Sequence, residues 1–218
     1  MASELLGISP RAVQFHYGRL SKAQLIYAFR YYPEDQIRGA APYAYGLSDS
    51  GVTRAFEDGF ATDSTKTFKG HSPRTIEHEL MISKFHLNLA RVTEANDWDL
   101  RWRQSNLKRA VHPDALFAIN GKYFFLEIER AKLGNYRNGE PQILRKLRSY
   151  SEYYGSSGSE NDFGFRTFQV VIMMRTEDRA TNLSGRLRAS GLDQSVFLIS
   201  SEPKIEAFLS AETPLSPT

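Results

Sequence analysis

The sequence predicts a mixed α/β chain (α+β overall), in which a small helical segment with a β-hairpin precedes a larger part built on a mixed sheet. Three observations predict it. A serine-proline helix start follows a glycine turn at residues 7–10, and two aromatic-rich runs come after it. An Asn120-Gly121 pair joins two apolar runs, the strongest short hairpin signal. Beyond it, helical stretches alternate with continuous apolar runs, which gives a sheet covered on both faces.

The N-terminal part is taken element by element. Residues 2–6 predict a short helix that ends at a Gly-Ile-Ser turn. Ser9 is a suitable N-cap, because its side chain can accept an orphan backbone N–H. Pro10 sits at the first helical position, where its missing N–H costs nothing. Ala12, Val13, Phe15, Leu20 and Leu25 are the apolar residues of the next helix. Helix, glycine turn and helix form the helix-turn-helix pattern. Residues 25–32 and 41–48 predict two strands, and the polar stretch 33–40 a turn, together a β-wing. Residues 48–60 predict a capped helix. Between residues 5 and 32 stand four bases, Arg11, Arg19, Lys22 and Arg30, and no acid. A helix entering a DNA groove needs such a field, while a solvated helix face has the same composition. Arg11, Gln14, His16, Arg19, Lys22 and Arg30 are the candidate contacts to double-stranded DNA. A winged helix normally has one more helix ahead of this pair, so either the protein is expected to start upstream or another segment or subunit to fill that place.

Residues 62–75 are polar and predict a linker between a first domain, 1–61, and a second, 76–210; residues 211–218 predict a disordered tail. In the second domain, residues 76–94 predict a long helix with a broad apolar face. Residues 96–109 are mixed and basic, with Trp98 and Trp102. Strands are predicted at 115–119 and 122–129, a polar glycine-containing loop at 134–139, and a helix at 141–155 with proline at its start and glycine at its end. A buried strand at 165–175, a helix closed by Gly191 and a short strand at 195–200 complete the order.

Composition bounds the function. The 218 residues are 41% hydrophobic and 24% charged, ample for a folded core. There is no cysteine, which excludes disulfides, cysteine-ligated zinc and a cysteine nucleophile. No apolar run is long enough to span a bilayer, and the first residues lack a signal-peptide layout. A cytoplasmic protein without a membrane partner is expected. The net charge of +3 permits a nucleic-acid partner without requiring one. No phosphate-binding glycine loop and no nucleophile-elbow serine are present. His78-Glu79 fails the zinc-protease pattern, because Ile82 stands where a second histidine is needed.

The hairpin carries the chemistry. Side chains alternate faces along a strand, so Glu127 and Glu129 point the same way and Ile128 the other. Asp114 lies six residues before Asn120 and Glu127 six after Gly121, which sets them about opposite one another. Converging carboxylates repel unless a cation or a basic side chain offsets them. One or two carboxylates with waters and substrate phosphates form the usual magnesium site; charged strand ends balanced by Arg130 are the structural alternative.

Pro113-Asp114 followed by Glu127-Ile128-Glu129 resembles the PD-(D/E)xK core of the restriction-endonuclease-like superfamily. The resemblance implies an αβββαβ mixed sheet, Mg2+ or Mn2+ at Asp114 and Glu127, a further acid from the preceding helix at Glu79, and a polar auxiliary residue on the following helix. Gln142 and Lys146, four apart on one face of that helix, stand at such positions. The lysine of the motif is replaced by Glu129. Lys122, Lys132 and Lys146 are the available substitutes, with Lys146 preferred; the candidate catalytic set is Asp114, Glu127, Glu129, Gln142 and Lys146. Over nearly the whole chain the order of the helix-turn-helix, "HEL", "HPDALF", "FFLEIER" and "LRKLRSY" is similar to the replication-relaxation family. That resemblance implies a DNA-binding protein of a plasmid or mobile element, acting in replication, mobilisation or regulation, and a possible homodimer. Position 129 favours binding without cleavage. The alternative is a metal-dependent endonuclease or nickase using Asp114 and Glu127, and a third reading is a transcriptional regulator.

Overall fold

The computed structural model describes residues 7–30, 43–59, 73–104, 107, 109–129, 136–137, 140–204 and 207. The chain divides into two compact units, Met1–Leu80 and Met81–Thr218.

The first unit contains α1 (Pro10–Lys22), β1 (Ile26–Arg30), β2 (Tyr43–Leu47) and α2 (Asp49–Glu57). The Ser9 side chain accepts from the Ala12 N–H, and Pro10 opens the helix, as the sequence predicts. β1 and β2 pair antiparallel with Ala28 opposite Tyr45. Ser48 caps α2 through the Gly51 N–H. Gly51 is required there, because a Cβ would lie 1.8 Å from the Leu25 carbonyl oxygen. One expectation is corrected: Leu25, counted among the residues of this helix, lies beyond its end at Lys22, where Gln24 turns left-handed with φ 57°. Of the apolar residues assigned to α1, only Val13 is buried; Phe15 is 63% and Leu20 38% exposed. Phe15 stands two residues from Val13, about 200° around the helix, so the same turn cannot bury both. The predicted helix at 2–6 and the turn at 33–40 lie outside the described residues.

α3 (Pro73–Ala95) begins three residues before the predicted start, so Pro73–Thr75 belong to the helix rather than to a linker. Proline suits a first helical turn, where no N–H is needed. No helix among the described residues is long and apolar enough to cross a membrane.

The second unit is a three-layer α/β arrangement. Its sheet has five strands in the order β3 (Leu100–Arg103), β4 (Ala115–Ile119), β5 (Lys122–Glu129), β8 (Gln169–Met174) and β9 (Phe197–Ser201). β3, β4 and β5 are mutually antiparallel; β8 and β9 run parallel to β5. β4 and β5 have the predicted bounds. Asn120 and Gly121 both take positive φ, 48° and 82°, the conformation a two-residue hairpin turn demands. β3 is an addition to the residue-by-residue reading. Its Leu100 and Trp102 face inward while Arg101 and Arg103 are exposed, a short edge strand whose arginines mask the alternation. It completes the helix, three antiparallel strands, helix, strand order. β6 (Tyr136–Arg137), inside the stretch predicted as a loop, pairs with β7 (Glu140–Pro141), so Pro141 belongs to this short ladder and the helix predicted from 141 begins at Gln142.

α4 (Gln142–Tyr154), α5 (Gly158–Phe163) and α6 (Glu177–Ala189) complete the unit. Pleating divides the core. Phe124, Leu126 and Ile128 pack with Met81, Phe85 and Leu89 of α3. Phe125 faces the other way and packs with Leu147, Tyr150 and Tyr153 of α4 and with Leu183 of α6. Glu127 shares the side of Phe125, so a carboxylate is aimed into an apolar layer beneath α4.

Candidate functional site

Asp114 precedes β4, and the β4–β5 register, Ala115 opposite Leu126, extends by one pair to set it opposite Glu127. Its N–H donates to the Leu126 carbonyl at 2.9 Å. Its Oδ2 accepts from the Ile128 N–H at 2.7 Å. Asp114 therefore grips the backbone on both sides of Glu127 and fixes the carboxylate-bearing residue between them.

Glu127 is 1% exposed. Its Oε2 is paired with Lys146 Nζ, and its Oε1 accepts from the Tyr150 hydroxyl. Lys146 and Tyr150 are four residues apart on α4, one turn, so a single helix face presents both donors to one carboxylate. Leu147 and Tyr150, both wholly buried, anchor that face.

Burial pushes the Glu127 carboxyl up to about 7; Lys146 opposes this shift and the charge on Asp114 adds to it. Burial also works against the Lys146 ammonium, but Glu127, Asp114 and Glu129 together hold its pKa above the ordinary lysine value. The two partners thus shift in senses that favour different states of the pair, a neutral acid and a charged amine. Their unequal exposure resolves this: the Lys146 side chain is 37% exposed and keeps much of its hydration, whereas Glu127 keeps almost none. The rise at Glu127 follows from its burial. The Tyr150 hydroxyl is raised by burial first and then by the adjacent carboxylate, so it stays a proton donor.

Beside this centre lies a cavity of about 300 Å3, lined by Ala110, Val111, His112, Gln142, Arg145, Lys146, Ser149 and Tyr150. Asp114, Glu127, Lys146 and Gln142, all singled out in the sequence, therefore gather between the hairpin end and α4. Glu129 lies on the same strand face, and its charge reaches Lys146. Glu79 sits on α3 in the first unit. Among the described residues no three histidine or acidic side chains are grouped to hold a metal ion. Tyr150 was not anticipated; its spacing of four from Lys146 and eight from Gln142 was the available signal.

In the first unit Arg11, Gln14, His16, Arg19 and Lys22 are exposed on α1. Arg30, exposed at the end of β1, donates from Nε to the Tyr43 hydroxyl at 3.0 Å, with its guanidinium 5.0 Å from the Tyr43 ring centre. Tyr17 packs on Tyr45 at 4.3 Å between ring centres and ties α1 to the hairpin.

Fold and site define a mixed α/β protein with a buried acid–lysine–tyrosine centre under one helix. The chain belongs to the replication-relaxation family, whose model matches residues 3–167, well over half of its length. The matched span includes both units' candidate residues. Membership suggests a role in plasmid or mobile-element replication or mobilisation. No curated protein and no solved structure shows significant similarity to the chain.

Proposed function

We propose that this chain is a DNA-binding protein of plasmid or mobile-element replication, whose first unit engages duplex DNA as a winged helix and whose second unit carries a PD-(D/E)xK-type phosphoryl-transfer centre. The carrying observation is the meeting of Lys146 with Glu127 from α4. The motif's lysine is absent at position 129, and this pairing supplies an ammonium to the same acids from a neighbouring helix. Asp114 and Glu127, opposite one another at the hairpin end, suit a magnesium or manganese ion held by one or two carboxylates. Such an ion would neutralise the scissile phosphate and lower the pKa of bound water. Asp114 holds Glu127 in place through its two backbone bonds. Lys146 places positive charge where a pentacoordinate phosphorus would develop negative charge. Gln142, Arg145 and His112 line the adjoining cavity and offer donors to flanking phosphates.

A second reading rests on the Glu127 oxygens, both already engaged by Lys146 and Tyr150. In it the centre is a self-neutralised structural core and the protein binds DNA without cutting it. Incubating supercoiled plasmid with the purified chain and Mg2+ or Mn2+ separates the two. The expected result is metal-dependent nicking that falls at least a hundredfold in Asp114→Ala and in Lys146→Ala, in line with removal of one charge-stabilising group. Duplex binding with no nicking under either metal would sink the cleavage reading and leave the DNA-binding one.

A further inference from the structure

Helical spacing puts Arg11, Phe15, Arg19 and Lys22 in one stripe, at intervals of four, four and three residues. The stripe lies on the side of α1 opposite Val13, the helix's buried residue. Phe15 is 63% exposed at its centre, with the Arg19 guanidinium 6.0 Å from its ring centre. No acid occurs on this helix. An apolar ring in the middle of three cations is badly placed to bind another apolar protein surface, since docking there would strip water from the charges around it. It is well placed against a polyanion that carries apolar groups between its phosphates. Duplex DNA has that pattern in its major groove, where the only apolar protrusion on a base edge is the thymine 5-methyl group.

We infer that Phe15 is a specificity-determining residue that packs against a thymine methyl in the major groove, while Arg11, Arg19 and Lys22 hold the flanking phosphates. This rests on the reading of the first unit as a duplex-binding module and adds which base that module selects. Exchanging Phe15 changes which sequence is preferred; exchanging Arg19 changes how tightly any sequence is held and how strongly salt weakens it.

The test uses the intact chain. A preferred duplex is selected from a random library, and each thymine in it is then replaced by uracil, which removes the methyl and nothing else. One such replacement is expected to weaken binding about fourfold, the worth of one buried methyl. In Phe15→Ala that difference disappears while the salt dependence stays. In Arg19→Ala the thymine preference stays and the slope of log affinity against log salt falls by about 0.9. Phe15 is exposed, so circular dichroism of Phe15→Ala should match the parent. Binding indifferent to every uracil, or a uracil effect that survives in Phe15→Ala, overturns the inference and leaves the DNA-binding reading standing. So does a dimer that Phe15→Ala converts to a monomer, which would make this face a contact between two copies of the chain. Failure to bind any duplex overturns both.

Discussion

Replacing Lys146 with methionine is expected to destabilise the second unit by about 2–3 kcal/mol at pH 8 and by far less at pH 5. Removing one partner of a buried ion pair typically costs about 3–5 kcal/mol. The lower figure allows for the 37% exposure of the Lys146 side chain, which leaves part of the interaction screened by water. The pH dependence follows from Glu127. Its folded-state pKa lies above its unfolded value, at about 7 against 4.5, so its proton stabilises the fold at low pH. That contribution is lost as pH climbs from 4.5 through 7. Without the Lys146 ammonium the folded pKa rises further, and the loss of stability extends to higher pH. At pH 5 Glu127 is protonated in both proteins and the missing cation matters little. Urea unfolding at the two pH values measures the difference. A loss equal at pH 5 and pH 8 would show that Lys146 contributes packing alone.

Phe125→Ala is expected to cost about 3–5 kcal/mol, the range for emptying a fully buried aromatic site. Phe125 is wholly buried at the centre of β5. Its ring lies 4.8 Å from Phe168, 5.5 Å from Phe163, 5.7 Å from Tyr150 and 5.8 Å from Phe165, measured between centres. These rings come from α4, α5 and the approach to β8, and they cannot all move inward to fill the space. The same layer seats Tyr150 against Glu127, so the variant should also loosen the centre. Urea unfolding followed by tryptophan fluorescence gives the value; a loss below 1 kcal/mol would mean that the cluster collapses onto the space and is not rigid.

The two predictions draw on parts of the molecule that were unequally visible in the sequence. The hairpin was plain because Asn-Gly chemistry and two apolar runs are local signals, and from them the opposition of Asp114 and Glu127 follows by counting. The start of α1 was plain because a cap is a contact between near neighbours. β3 was hidden because half of a four-residue edge strand is arginine. Which apolar residue of α1 is buried was not legible, because apolarity predicts burial only where a partner surface exists, and α1 turns Phe15 to solvent. The part of Tyr150 in the centre could not be read from α4 alone. A tyrosine in an amphipathic helix looks like core, and Tyr150 is core; that its hydroxyl meets a carboxylate depends on which strand lies beneath. Lys146 was singled out only through the missing motif lysine, and docking of the helix is what turns that preference into a contact.

The centre is also ordered in time. Asp114 and Glu127 are brought together by a two-residue turn, and a hairpin closes in about 1–10 μs. Lys146 reaches them only when α4 docks on a layer that includes β8, whose partner strand β5 ends some forty residues earlier in the chain. Contacts between distant segments form late, because the intervening chain must first lose its freedom. Pulsed hydrogen exchange during refolding should therefore protect the amides of Ala115–Ile119 before those of Gln169–Met174; simultaneous protection would contradict this order. While the chain waits for α4, two carboxylates face each other with no ammonium between them.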